Sequence, residues 1–387
     1  MFSRRVPSDL APNPLSRAVL ELRAAGASFI DLTESNPTRV GIQFPRGLLD
    51  ALGAPASYSY DPQPLGLQSA RRAVASEYAR RAVAQDPQWV ALTTSTSESY
   101  SYLFRLLCDP GSVVLVPRPS YPLFEYLTQL DGIESRNYSL RFDDAWTIDV
   151  AEIEAALDER VRAVIVVSPN NPTGTRLDRD TLTRLAAACA SAHVALIGDE
   201  VFADYHLDSG RAPSVLEQTA CLAFSLGGLS KAVGLPQLKL GWIAVGGPSE
   251  LRDEALARLE VVADAYLSVS TPIQLAAPAV LNEGAAVREQ IAARVLLNYR
   301  TLTALAREFP ACRVPPVCGG WSAVIRAPAV MPDDVRALEL LKEEGVLVHP
   351  GYLFDFDNDG FFVVSLLPAP ADFEQGVRAA LGALSRD

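Results

Sequence analysis

The chain holds three lysines, and two of them stand eight residues apart in Phe224-Ser-Leu-Gly-Gly-Leu-Ser-Lys231-Ala-Val-Gly-Leu-Pro-Gln-Leu-Lys239. The third, Lys342, lies in an amphipathic helical pattern and reads as a solvated charge. Lysine is the side chain that forms Schiff bases, and loss of water lowers its pKa enough to make it a nucleophile. The surroundings of Lys231, apolar and rich in glycine, suit that chemistry better than they suit a surface charge. Two further loops bring partners of other types: Ser168-Pro-Asn-Asn171-Pro-Thr-Gly174 offers an amide, and Asp199-Glu-Val-Phe202-Ala-Asp204 a carboxylate. In Thr93-Thr-Ser-Thr96-Ser97-Glu98, hydroxyls and backbone N–H groups precede a helix, which suits an anion such as phosphate. Pro119-Ser-Tyr121-Pro adds an aromatic ring.

These loops need a frame. The runs Ser112-Val-Val-Leu-Val, Ala163-Val-Ile-Val-Val, Val194-Ala-Leu-Ile, Leu222-Ala-Phe and Leu240-Gly-Trp-Ile-Ala-Val are short, apolar and rich in branched residues. Strands buried on both faces of a mainly parallel sheet read this way. Helical patterns over 98–108, 122–130, 150–157 and 180–192 lie between them. The expectation is an α/β fold with a mainly parallel, doubly wound sheet, whose ligands bind beyond the carboxyl ends of the strands. The amide, carboxylate and lysine loops each follow a predicted strand, so all three open on one edge. Residues 51–270 are expected to form this large domain. A smaller α+β domain is expected from residues 1–50 and 271–387, with helices at 14–25, 286–308 and 332–344 and strands near 321–326 and 360–366.

Composition narrows the function. A net charge of -12 argues against nucleic acid or an anionic membrane as partner. No apolar run approaches the ~20 residues of a membrane span, and the first residues lack a signal core. The five cysteines (108, 189, 221, 312 and 318) are scattered without zinc-ligand spacing and read as buried thiols of a cytoplasmic protein. No metal site is signalled.

Lysine, carboxylate, amide, aromatic ring and anion loop together meet the needs of pyridoxal 5'-phosphate. The lysine carries its aldehyde, and the carboxylate keeps the pyridine nitrogen protonated so that the ring accepts electrons. The motifs Ser-Pro-Asn-Asn-Pro-Thr-Gly, Asp-Glu-Val-Phe, Ser-Lys-x-x-Gly-Leu-Pro-x-Leu-Lys-x-Gly-Trp and Asp109-Pro-Gly-Ser-Val-Val-Leu-Val-Pro-Arg-Pro-Ser-Tyr-Pro, in that spacing, resemble the class I/II aminotransferases of fold type I, related to aspartate aminotransferase. The resemblance runs over nearly the whole chain. It implies that Lys231 is the Schiff-base lysine and that Asp199 partners the pyridine nitrogen. It also implies that Asn171 bonds the ring's 3-oxygen and Tyr121 stacks on the ring. Thr96, Ser97 and Ser230 become phosphate donors, and Tyr60 resembles the tyrosine that reaches the phosphate from the other subunit of a homodimer with shared sites.

The departures from the family pattern are as informative. Lys239 stands where an arginine usually holds the phosphate, keeping the charge without the bidentate fork. Phe202 replaces a common tyrosine donor to the 3-oxygen. Ser95 takes the place of the usual glycine of the phosphate loop, and Gly228 that of a serine. Val363 falls where the family places its carboxylate-binding arginine, leaving Arg39 as a candidate cation and Asn171 as an amide donor for the substrate. The implied reaction moves an amino group between an amino acid and a 2-oxo acid. A pyridoxal-phosphate lyase or cyclase on the same scaffold is the alternative, since fold does not fix reaction. A cofactor-binding regulator is a distant third.

Overall fold

The structure is a computed structural model that describes residues 1–267 and 269–386. The chain opens with helix α1 (Pro14–Ala24), capped by the Asn13 side chain, and the short strand β1 (Ile30–Asp31). Helix α2 (Gln68–Arg80) leads into β2 (Val90–Thr93), α3 (Thr96–Leu107) and β3 (Val113–Arg118). Then come α4 (Phe124–Asp131) and a hairpin of β4 (Glu134–Asp143) and β5 (Ala145–Ile148). The series α5 (Val150–Ala156), β6 (Val161–Val167), α6 (Arg179–Ser191) and β7 (Ala195–Asp199) follows. Strand β8 (Ala223–Gly228) runs into the one-turn helix α7 (Leu229–Ala232), and β9 (Gly241–Gly246) follows after a turn at 236–238.

Eight strands form one sheet in the order β2-β9-β8-β7-β6-β3-β4-β5. From β8 through β4 every pairing is parallel, while β9 runs antiparallel to both β8 and β2, and β5 antiparallel to β4. The parallel strands are nearly all buried, as expected for a sheet with helices on both faces. The β4–β5 hairpin was not anticipated from sequence. Its ten-residue strand β4, next to the edge strand β5, buries only Tyr138 and Leu140, so it lacks the continuous apolar run that marks its neighbours.

After β9 come α8 (Ser249–Tyr266), α9 (Thr271–Glu283) and α10 (Ala285–Ala306), then β10 (Ser322–Arg326), α11 (Asp333–Glu343), β11 (Val346–Leu347), β12 (His349–Pro350), β13 (Phe361–Ser365) and α12 (Pro370–Leu384). A three-stranded antiparallel sheet takes the order β10-β13-β12. Strand β1 pairs in parallel with β11, Ile30 opposite Val346 and Asp31 opposite Leu347. Leu15, Leu32, Val40 and Ile42 share one apolar core with Val287, Ile291, Phe362, Val364, Phe373 and Leu381. Helix α9 packs instead on α2, contributing Ile273, Ala276, Ala277 and Val280 to a second core. Among the described residues no helix is long and apolar enough to cross a membrane. All five cysteines are free thiols; Cys189, Cys221 and Cys312 are buried, whereas Cys108 and Cys318 are only half-buried.

Candidate active site

Strands β6, β7 and β8 are adjacent and parallel, so the loops at their carboxyl ends emerge side by side. They carry Asn171, Asp199 and Lys231 to one edge, as the sequence leads one to expect. Lys231 lies in α7, directly after β8, with its Nζ 4.6 Å from the centroid of the Trp321 ring and 5.3 Å from that of Phe202. Burial among these rings lowers the ammonium pKa to about 8, only partly opposed by the Asp199 charge. The amine is therefore poised near its neutral, nucleophilic form. Its backbone is held too: Tyr205 donates its hydroxyl to the Lys231 carbonyl at 2.5 Å, and Arg288 donates to the Ala232 carbonyl at 3.2 Å.

Asp199 closes β7. Burial raises its carboxyl pKa, and a hydrogen bond from the Tyr100 hydroxyl to Oδ2 (2.9 Å) works against that rise. The Val201 N–H donates to Oδ1 at 3.2 Å. Asn171 accepts from the Ser322 hydroxyl at 3.1 Å through Oδ1, and its NH₂ group has no partner among the described residues, which leaves it available to an oxygen of a ligand. The neighbouring Asn170 ties two loops together. Its Nδ2 donates to the Pro119 carbonyl at 3.1 Å and to Thr173 at 2.9 Å, and its Oδ1 accepts from Ser120 at 3.3 Å. That brace sets the Tyr121 loop beside the Asn171 loop. Tyr121 itself is half exposed, a ring with a free face.

An anion cup is present at the start of α3. Ser95 caps the helix by accepting from the Glu98 N–H at 3.2 Å, so the serine that replaces a glycine has a structural use. The N–H groups of Thr96 and Ser97 have no protein partner among the described residues and lie at the positive end of the helix. Gly241 packs against them: a Cβ there would sit 2.9 Å from the Ser95 carbonyl carbon and 3.1 Å from the Thr96 nitrogen. Lys239, exposed and left-handed (φ 53°), precedes that contact by two residues. Ser230 shares α7 with Lys231 and is partly buried. An anionic group with an aldehyde and a basic ring fits this set: free N–H donors and a cation at one end, a buried carboxylate at the other, and a near-neutral amine between aromatic walls.

Three other sequence-derived candidates, Tyr60, Arg39 and Val363, have settings of their own. Tyr60 is 72% exposed. Arg39 points to solvent and pairs loosely with Glu34 at 3.9 Å. Val363 is buried in β13 opposite Val324 and His349, in a core with Phe354, Phe356 and Trp146. Sequence reasoning missed Tyr100, Trp321, Tyr205 and Ser322. Only Tyr100 carried a legible signal: it stands four residues after Thr96, hence on the same helix face. The other three reach the site by tertiary packing, which local pattern does not encode.

The comparisons with known proteins agree with this geometry. The family described as aminotransferase class I and II matches residues 45–378. The alanine aminotransferase of Mycobacterium tuberculosis is 28% identical over 381 residues, covering 94% of this chain and 87% of its own length. Among solved structures, alanine aminotransferase from Pyrococcus furiosus superposes with a TM-score of 0.90 at 24% identity over 100% of both chains. A double mutant of Thermus thermophilus aspartate aminotransferase gives 0.84 at 23% identity, over 99% of this chain and 100% of that one. With the family matched over most of its length, this chain belongs to the class I and II aminotransferases and is an enzyme that transfers amino groups.

Proposed function

We propose that the chain holds pyridoxal 5'-phosphate at the Lys231 edge and uses it to move an amino group between an amino acid and a 2-oxo acid. The observation that carries this reading is the convergence of a near-neutral lysine, a buried carboxylate and a free amide at the ends of three adjacent strands. When bound, the cofactor supplies an electron sink for the pair left at the substrate's α carbon. Everything else falls to the protein. Lys231 would hold the cofactor through its aldehyde, and its amine, set among apolar rings, would serve as the base for the substrate's α proton. Asp199 would hold a proton on the pyridine nitrogen, and the Asn171 NH₂ would serve the ring's 3-oxygen or the substrate carboxylate. Thr96, Ser97, Ser230 and Lys239 would hold the phosphate, and Tyr121 would pack on the ring. Trp321 and Phe202 exclude water from the amine.

The same reading assigns Tyr60, whose ring is largely exposed, to the neighbouring site of a homodimer. It also divides the chain into a large unit at 51–270 and a small one at 1–50 with 271–387. The core shared by 15–42 and 287–384 supports that division, while α9 lies on the large-unit side against α2. Location in the cytoplasm belongs to this reading as well. The deciding experiment adds single amino acids to the cofactor-loaded protein and follows the spectrum without an acceptor. Conversion to the pyridoxamine form is expected; release of ammonia or pyruvate with the pyridoxal form retained would show a lyase instead.

A further inference from the structure

Helix α3 does two things at once. Its first residues, Thr96 and Ser97, present free N–H groups at the anion cup, and one turn later Tyr100 donates its hydroxyl to Asp199 Oδ2 at 2.9 Å. Residues four apart lie on one helix face, about 6 Å apart along the axis. The helix thus joins the end of the site that takes a phosphate to the carboxylate that faces a ring nitrogen. Tyr100 is 2% exposed, and its ring is clamped: Phe124 meets it edge-on at 5.3 Å and Phe104 lies 6.0 Å away. The hydroxyl therefore has little freedom to leave Asp199.

What Asp199 would do without that bond follows from its surroundings. Burial favours the neutral acid, the adjacent Glu200 charge pushes the same way, and Lys231 and the Val201 N–H push back. A neutral carboxylic acid cannot hold a proton on a pyridine nitrogen. Building on the cofactor assignment above, we propose that Tyr100 is a positioning residue for Asp199: its hydroxyl fixes the rotamer of the carboxylate and keeps it ionised for the cofactor's ring nitrogen. The competing view makes Tyr100 a core side chain whose hydroxyl merely finds an acceptor. The two views part over whether the effect of Tyr100 passes through Asp199.

The test is a double-mutant cycle on cofactor affinity, read by fluorescence titration of the apo-protein with pyridoxal 5'-phosphate and thus independent of turnover. Hydrogen bonds to charged groups suggest that Tyr100→Phe raises the dissociation constant about tenfold. It should also lower kcat while leaving KM for the amino donor unchanged. Tyr100→Met, which refills the volume without a hydroxyl, should agree with it. In an Asp199→Asn background, Tyr100→Phe should change affinity by less than about twofold, since its target is already gone. Affinity reports the folded fraction alone, so a lower melting temperature does not mask the result. If Asp199→Asn weakens binding while Tyr100→Phe does not, or if the two effects multiply, the proposal is overturned. Wild-type affinity in Asp199→Asn itself would instead overturn the underlying cofactor assignment.

Discussion

Lys231 is the residue on which the chemistry turns, and its environment makes a measurable claim. Its amine has lost water to the Trp321 and Phe202 rings, and the resulting pKa of about 8 lies well below that of a solvated lysine. Below about 8 the group is charged and unreactive; above it the free amine dominates. Capture of pyridoxal phosphate, trapped by borohydride, should therefore rise through a midpoint near 8 rather than near the ~10.4 of an ordinary lysine. Lys231→Ala should abolish both the capture and the transamination. Peptide mapping that found the trapped group on Lys239 would refute the assignment. Phe202 belongs to the same account: it offers the amine a wall and no hydroxyl, and the nearby Tyr205 has its own hydroxyl committed to the Lys231 carbonyl.

At the scale of elements, α7 is a single turn that cannot hold itself in place. It is fixed from outside. Arg288 of α10 bonds the Ala232 carbonyl and pairs with Glu77 at 2.9 Å and Asp204 at 3.9 Å, while Arg80 bridges the same two acids at 3.0 and 2.6 Å. Arg288 is the buried member of this otherwise partly exposed network, and removing a buried partner strands the acids it meets, which typically costs about 3–5 kcal/mol. Arg288→Ala is expected to lose that much in urea unfolding, and a loss below about 1 kcal/mol would show that the network holds nothing. Strand β13 bears on substrate choice. Val363, which the sequence reading aligns with the family's carboxylate-binding arginine, shares a core with Phe354, Phe356 and Trp146, and an aliphatic side chain offers a carboxylate no ion pair. Aspartate and glutamate should be poor donors; efficient turnover of either, unaffected by Arg39→Ala, would show that another side chain holds the carboxylate.

These elements differ in how far the sequence disclosed them. The parallel strands were legible because burial on both faces leaves continuous apolar runs, and the loops after them followed from chain direction. The direction of β9 and the edge hairpin β4–β5 were not, since an apolar run is silent on orientation and an edge strand lacks one. Lys231, Asp199 and Asn171 could be read because each follows a strand. Trp321 and Ser322 come from β10 and its lead-in, about 90 residues beyond the lysine, and only folding brings them there.

At the scale of the whole molecule, the homodimer proposed above has Tyr60 of one chain completing the site of the other, and complementation tests it. A Lys231→Ala chain and a Tyr60→Ala chain, each impaired alone, should regain about a quarter of wild-type activity when co-expressed, because half of the dimers carry one intact site. No gain on mixing, with dimers verified, would place Tyr60 outside the chemistry. The pairing of β1 with β11 has a different consequence, one of timing. Ile30 finds its ladder partner only at Val346. At about 5–20 residues per second, the ribosome needs roughly 15–60 s to supply it after the first strand is made. Throughout that interval the apolar face of Leu15, Leu32, Val40 and Ile42 awaits the segment that will cover it, and even completion of the eight-stranded sheet at Gly246 does not supply it. The nascent chain thus offers a hydrophobic leading end to trigger-type chaperones, and arrested chains cut short before 346 should bind them more tightly than chains carried through 387.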